Sequence, residues 1–160
     1  MMTDADEWAR LLGLRLVQRG EKVVTAESCT GGLVAAAMTS VAGSSDWFER
    51  GFVTYSNASK REVLAVPQTV LDEHGAVSEA CARAMAEGAL AASRAQCALS
   101  ITGIAGPGGG SAEKPVGTVC FAWAGKGWTT QSQTCLFEGD RAAVRHQSAA
   151  HALTGLLVRI

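Results

Sequence analysis

Two glycine-rich segments, residues 27–32 and 102–111, each follow directly after a run of residues that predicts a β-strand. They contain seven of the 18 glycines, which make up about 11% of the chain against a usual ~7%. Glycine lets the backbone come close to a ligand, and ligands of open α/β sheets bind beyond the carboxyl ends of the strands. The two segments therefore predict the backbone surfaces of a binding site.

Helical and strand patterns alternate along most of the chain, and a hairpin follows. Helices are predicted for residues 4–19 and 33–39, for a short segment that Asn57 caps and Pro67 ends, for a segment capped by Ser78 and for a last one opened by Asp140. Strands are predicted for residues 22–26, 51–55, 96–101, 116–124 and 128–137. With no linker or repeat in the sequence, we expect one domain over residues 1–160, a three-layer α/β/α sandwich on a mixed β-sheet.

The charge balance of the chain limits its partners. There are 14 Lys and Arg against 15 Asp and Glu, a formal net charge of -1. Nucleic-acid-binding domains are usually basic, so no nucleic-acid partner is expected. Charged residues are only 18% of the chain, which argues against disorder and leaves little polar surface. We therefore expect a homo-oligomer, a dimer or larger.

Cysteine usage and apolar runs indicate the compartment. The five cysteines have irregular spacing without a CxxC pair, and the three histidines are badly placed for shared ligation, so no metal is expected. No secretory signal is visible, and no apolar run approaches the ~20 residues of a membrane helix. The sequence thus predicts a cytoplasmic protein with free thiols and no membrane association.

The common phosphate and nucleophile motifs are absent. Walker A fails because Gly109 stands where lysine is required, and the dinucleotide pattern fails at Ser111. Ser28 lies outside a G-x-S-x-G elbow, and Asn57 occupies the serine position of an S-x-x-K pattern that would end at Lys60. The sequence therefore matches neither the nucleotide-binding motifs nor the nucleophile templates in their familiar forms.

Three side chains outside those motifs are candidates for catalysis. Ser28 lies in a strand-to-helix turn, where backbone N–H groups could stabilise an oxyanion; alternatively, Ser28 or Thr30 only caps the helix. Lys60 becomes a base if it is desolvated beside a serine, and otherwise is an ordinary solvated helix lysine. Tyr55 is the only tyrosine, and half-buried packing is its alternative role.

Four separate segments resemble the CinA C-terminal domain family, whose enzymes are nicotinamide-nucleotide amidases. The resemblance covers roughly residues 5–157 in order, and it implies the stand-alone form without the molybdopterin-binding-like domain of longer members. The segments are Ala26–Gly32 (AESCTGG), Gly51–Asn57 (GFVTYSN) followed by Lys60, His74–Ser78 (HGAVS), and Thr102–Pro107 (TGIAGP) with Lys114–Thr118 (KPVGT).

The resemblance implies a role for each candidate residue. Ser28 is the nucleophile, Lys60 its base, and Tyr55 assists proton transfer. Thr102 lines the site, and Arg141 contacts the phosphate unless it is an ordinary surface arginine of the first helical turn.

The reaction expected is metal-free and cofactor-free hydrolysis of the carboxamide of nicotinamide mononucleotide. Backbone N–H groups of Thr30, Gly31 and Gly32 would hold the oxyanion, and the loop of Gly103 and Gly106 would approach the ribose phosphate. Two alternatives remain at this point. The chain could be a nucleotide-binding regulatory module without turnover, in which Lys60 is ordinary, or a structural scaffold, which needs only the low surface charge.

Overall fold

The computed structural model describes residues 2–160, which form six α-helices and five β-strands. The helices are α1 (Asp4–Arg19), α2 (Leu33–Thr39), α3 (Asn57–Leu64), α4 (Gln68–His74), α5 (Glu79–Ala91) and α6 (Arg141–Leu157). The strands are β1 (Val23–Glu27), β2 (Phe48–Val53), β3 (Cys97–Gly103), β4 (Thr118–Gly125) and β5 (Trp128–Leu136).

The strands form one mixed sheet in the order β2-β1-β3-β4-β5. β1 lies at the centre of a parallel group, between β2 and β3, while β3–β4 and β4–β5 pair antiparallel. All five residues of β1 and all eight of β4 are buried, as expected for strands that are covered on both faces. The predicted mixed sheet is confirmed.

Apolar side chains pack on both faces of this sheet. On one face, α1, α2 and α6 cover a cluster that includes Val23, Leu99 and Phe121. On the other face, α3, α4 and α5 cover a second cluster that includes Val24 and Ala98. Val23 and Val24 belong to opposite clusters because successive strand residues point to opposite faces. The three-layer α/β/α sandwich is therefore also confirmed.

Some boundaries differ from the sequence-based expectations. Ser56, not Asn57, caps α3, because its hydroxyl accepts the N–H of Ser59 while the Ser59 side chain bonds back to Ser56. β2 begins at Phe48, three residues earlier than predicted, because its edge pairing with β1 starts there. The helix α4 was not predicted; it begins directly after Pro67, which is typical at a helix start.

A close helix contact fixes the position of α3. A Cβ atom on Gly88 of α5 would lie 1.9 Å from the carbonyl oxygen of Leu64, so the two helices can approach only because residue 88 is glycine. This contact matters because α3 carries Lys60.

Within residues 2–160, no helix combines the length and apolar character needed to cross a membrane.

Candidate active site

The nucleophile candidate lies where β1 ends, at the carboxyl edge of the parallel strands. Hydrogen bonding continues past the strand: the Ser28 N–H donates to Ile101 O at 3.0 Å, and the Thr54 N–H donates to Glu27 O at 2.9 Å. These bonds place Ser28 beside the chain that leaves β2. The Ser28 side chain is 8% exposed and lines a cavity.

Lys60 lies one turn into α3 and points back to this edge. Its Nζ is 2.9 Å from Ser28 Oγ and 2.9 Å from Thr54 O, and 3.4 Å from Tyr55 O. The residue is 1% exposed, and it forms no ion pair with any carboxylate of the part of the chain described. Burial lowers the pKa of Lys60, because a buried ammonium loses its hydration.

Three oxygens surround Lys60 Nζ: a protonated lysine donates to all three, and a neutral one can keep all three contacts if the Ser28 contact reverses. A neutral amine has two N–H bonds and one lone pair, and two carbonyl oxygens accept its hydrogens. Its lone pair is then free for the hydroxyl hydrogen of Ser28. The neighbouring Cys29 is no rival nucleophile, because burial raises the pKa of its thiol to about 11. The pair can therefore work as nucleophile and base.

The carboxylate of Glu27 shapes the turn after Ser28. It accepts the Thr30 hydroxyl at 2.7 Å, and the backbone N–H groups of Gly32, Val34 and Ala35 at 3.2, 3.0 and 3.0 Å. The helix α2 begins after Gly32, which has no side chain to cap it, so Glu27 satisfies its first donors instead. Neither Ser28 nor Thr30 caps α2.

The expected oxyanion amides need correction. The Gly31 N–H donates to Ser28 O at 3.0 Å and the Gly32 N–H to Glu27, so neither is available to a ligand. Within residues 2–160, the backbone N–H groups of Cys29 and Thr30 donate to no other residue. Thr30, Gly31 and Gly32 do not line the cavity: the Thr30 hydroxyl and the Gly32 N–H point to Glu27, and the Gly31 N–H points to Ser28 O.

Ser28 and Lys60 open into a cavity of about 280 Å³, near the lower end of the ~300–1,000 Å³ typical of small-molecule sites. Four of the predicted substrate-binding residues line it: Thr102, Gly103, Gly106 and Arg141. A larger groove of about 760 Å³ runs along α1, but no lysine or histidine lines it. A third groove of about 630 Å³ is lined by Ser78 and Lys114, but their side chains donate to Gly75 O and His74 O and not to each other. The smaller cavity is thus the one in which a serine hydroxyl lies within hydrogen-bond distance of a lysine.

The loop after β3 forms one wall of this cavity. Thr102, 1% exposed, donates its hydroxyl to Ala76 O at 2.8 Å and so holds a second wall in place. Gly106 has a φ of +85°, and a Cβ there would lie 2.4 Å from Val116. Glycine at 106 therefore lets the loop fold tightly against the chain that enters β4.

Arg141 and Tyr55 stand together at the cavity. Arg141 donates to Gly106 O at 2.8 Å and to the Tyr55 hydroxyl at 3.1 Å, and it has no ion-pair partner among the residues described. Tyr55 is 63% exposed, and its hydroxyl bonds neither Ser28 nor Lys60. The expected proton-transfer contact of Tyr55 is therefore not made, because Lys60 reaches only its backbone carbonyl.

Two residues of the site had no predicted role. Glu27 stood in the quoted motif, and a carboxylate just before a helix that starts with glycines was a usable capping signal. Arg145 donates to Cys29 O at 3.0 Å and to Thr30 O at 3.2 Å across 116 and 115 residues of chain, a contact without local signal. Among residues 2–160, no group of three or more His, Cys, Asp or Glu is placed to hold a metal ion.

Comparison with known proteins gives a consistent set of relatives. The sequence profile of the CinA C-terminal domain matches residues 5–160. The nicotinamide-nucleotide amidohydrolase PncC of Escherichia coli K12 is 54% identical over 160 residues, covering 97% of this chain and 95% of that protein. PncC of Pseudomonas putida is 52% identical, covering 93% and 92%.

Longer proteins and solved structures match as well. A putative competence-damage inducible protein of Symbiobacterium thermophilum is 52% identical over 94% of this chain but only 37% of its own length. The crystal structure of the competence/damage inducible protein CihA from Agrobacterium tumefaciens superimposes with a TM-score of 0.95 at 45% identity, covering 98% of this chain and 95% of that one.

Proposed function

The chain belongs to the CinA C-terminal domain family, and on that premise we propose that it is a nicotinamide-nucleotide amidohydrolase. It hydrolyses the carboxamide of nicotinamide mononucleotide to nicotinate mononucleotide and ammonia, a step of pyridine-nucleotide recycling. The observation that carries the proposal is the 2.9 Å contact between Lys60 Nζ and Ser28 Oγ at the wall of a cavity. The buried Lys60 has backbone carbonyls, rather than carboxylates, as its other hydrogen-bond partners.

Acylation begins with the loss of the Ser28 proton. As Ser28 Oγ bonds to the carboxamide carbon, its hydrogen passes to the lone pair of Lys60 Nζ. The carbonyl π electrons move to oxygen, which becomes the oxyanion of a tetrahedral intermediate. The N–H of Cys29, which lines the cavity, and the N–H of Thr30, the fully buried next residue, donate to no other residue. We assign these two donors to the oxyanion, and one such donor typically contributes ~3–4 kcal/mol.

Collapse of this intermediate releases ammonia. The C–N bond breaks while the Lys60 ammonium returns its proton to the departing nitrogen, which leaves as NH3. Water then attacks the acyl-serine ester and gives a proton to Lys60, which passes it to Ser28 Oγ as the ester bond breaks. The same lysine thus acts as base and acid in both halves, without a proton passing through Tyr55.

The test of this function is ammonia release. We expect nicotinamide mononucleotide to be turned over, and free nicotinamide to react far more slowly because it lacks the phosphate and ribose that bind the cavity. Ammonia is measured with a coupled assay and nicotinate mononucleotide by chromatography. Turnover of the free base alone would contradict phosphate recognition. Binding of the nucleotide without any ammonia release would favour the regulatory module instead.

Arg141 is the proposed contact of the substrate phosphate, and Tyr55 orients its guanidinium. Because no carboxylate neutralises this arginine, we expect Arg141→Gln to raise the KM for the mononucleotide about 10- to 100-fold, the usual worth of a charged hydrogen bond. Steady-state kinetics with nicotinamide riboside, which lacks the phosphate, should show no such change. Arg10→Gln, on the exposed face of α1, is the control, and equal losses with both substrates would refute the assignment.

A further inference from the structure

The amides around Ser28 are almost all used within the protein. Those of Gly31, Leu33, Gly32 and the first residues of α2 donate to the turn itself or to Glu27. Within the described part of the chain, only the N–H groups of Cys29 and Thr30 in this turn donate to no other residue. A turn with two free donors beside a serine raises the question of what holds those donors in place.

Arg145 contacts the opposite end of the peptide group that carries the Thr30 N–H. Its Nε donates to Cys29 O at 3.0 Å, and one of its terminal nitrogens donates to Thr30 O at 3.2 Å. The N–H of Thr30 belongs to the same planar peptide unit as Cys29 O, and in a trans peptide the two point in opposite directions. By holding Cys29 O, Arg145 thus fixes the direction of the Thr30 N–H.

The charge of Arg145 adds to this geometry. Arg145 forms no ion pair with a carboxylate in residues 2–160, so its positive charge is not neutralised by a near neighbour. A cation that bonds a carbonyl oxygen polarises the peptide and makes its N–H a stronger donor. The guanidinium is also partly buried, so its positive potential is only partly screened by solvent. This potential acts on the turn next to which the oxyanion forms.

We propose that Arg145 is a positioning residue for the reaction at Ser28. It holds and polarises the Cys29–Thr30 peptide so that the Thr30 N–H, one of the two free donors of the nucleophile turn, is ready for the oxyanion. The inference rests on the proposed amidohydrolase function and adds to it a residue of α6 that touches neither the cavity nor the substrate. Because the oxyanion exists only after attack, Arg145 should affect kcat rather than substrate binding.

The first test separates kcat from KM. In Arg145→Gln we expect kcat for nicotinamide mononucleotide to fall about 10- to 100-fold with KM within about 2-fold, since indirect support should matter less than the ~10²–10³ of an oxyanion donor itself. Arg145→Lys keeps the charge and one donor, so kcat should recover in part. Arg15→Gln is the matched control, because Arg15 also donates to a backbone carbonyl, that of Ile160. Wild-type kcat in Arg145→Gln would overturn the proposal.

The second test does not depend on the natural substrate. A fluorophosphonate phosphonylates an activated serine through an attack that also builds negative charge on oxygen, and intact mass gives its rate at Ser28. We expect labelling to be about 10-fold slower in Arg145→Gln and to recover in part in Arg145→Lys. In Lys60→Met we expect no labelling. If the wild type is labelled but releases no ammonia, the proposed function fails while the labelling rates still decide the role of Arg145.

A folding defect can be distinguished from a loss of positioning by comparing the two Arg145 variants. If Arg145→Gln fails to fold while Arg145→Lys folds with wild-type kcat and labelling rate, Arg145 is only a structural tie and the proposal is overturned. If Arg145→Lys folds with a reduced kcat and an unchanged KM, the proposal holds.

Discussion

Ser28→Ala should reduce ammonia release from nicotinamide mononucleotide by about 10⁴-fold or more, as removal of a nucleophile does in other hydrolases. No neighbour can replace it, because the adjacent Cys29 thiol has a pKa of about 11 and stays protonated near pH 7. The cavity itself is unchanged by the loss of one oxygen. Substrate binding, measured by calorimetry, should therefore persist while turnover disappears.

The matched control is Ser148→Ala in α6. Ser148 is also fully buried, but its hydroxyl donates to Val144 O within the helix and lies in no cavity. This variant loses a hydrogen bond of about 1 kcal/mol and should keep its activity. If Ser28→Ala retained more than about one-hundredth of the wild-type rate, the acyl-serine route would be wrong.

Lys60→Met should lower kcat by about 10²–10⁴-fold, the usual contribution of a general base. The free energy of unfolding of the variant should not fall in proportion to its activity. Methionine fills much of the same buried volume without an amine that has to be desolvated. Thr54 O and Tyr55 O lose a donor, which offsets part of this gain. Ammonia release and thermal unfolding, measured side by side, separate the two effects.

The pH dependence has a definite sign. Only neutral Lys60 can accept the Ser28 proton, so kcat/KM of the wild type should rise with pH through the pKa of Lys60, which burial holds below its usual 10.5. In the window between this lowered value and 10.5, the unfolded chain binds a proton that the folded chain does not, so wild-type stability rises with pH. Any stability advantage of Lys60→Met should shrink across the same window.

Lys126→Met, in the exposed turn between β4 and β5, is the control for this comparison. Its activity and the pH dependence of its melting temperature should follow the wild type. A wild-type kcat/KM that falls as pH rises through neutrality would contradict a lysine base.

Much of the fold follows from local sequence signals. The bounds of α1 and α2 match the predicted residues 4–19 and 33–39. The capping box of Thr3 and the C-cap Gly20 set the ends of α1, and the nearby Glu27 carboxylate accepts the first donors of α2, so both helices depend on local signals. The hairpin turn at residues 125–127 is equally local. The first residue of β2 was harder to predict from the sequence. β2 starts at Phe48 because β1 pairs with it there, and the pairing partner of a strand cannot be deduced from one segment alone.

The features of the site were also only partly predictable from the sequence. Ser28 and Lys60 were candidates because of their residue types and their turn, and they lie 2.9 Å apart. The directions of polar groups were not predictable, since they depend on distant partners. Gly31 and Gly32 turn inward because of the turn and Glu27, and the Tyr55 hydroxyl faces Arg141, 86 residues later. Backbone flexibility was visible in the sequence, but the donors it would present were not.

Ser28 and Lys60 are separated by only 32 residues and come from one continuous strand–helix–strand–helix stretch. The loop that forms the far wall of the cavity, and the arginine beside it, come from the second half of the chain. The two reacting side chains thus come from the first half of the chain, whereas the loop and Arg141 on the ligand side, and Arg145 beneath the nucleophile turn, come from the second half. Chimaeras joined near residue 95, between α5 and β3, would exchange substrate preference between family members while inheriting an intact reactive pair from one parent.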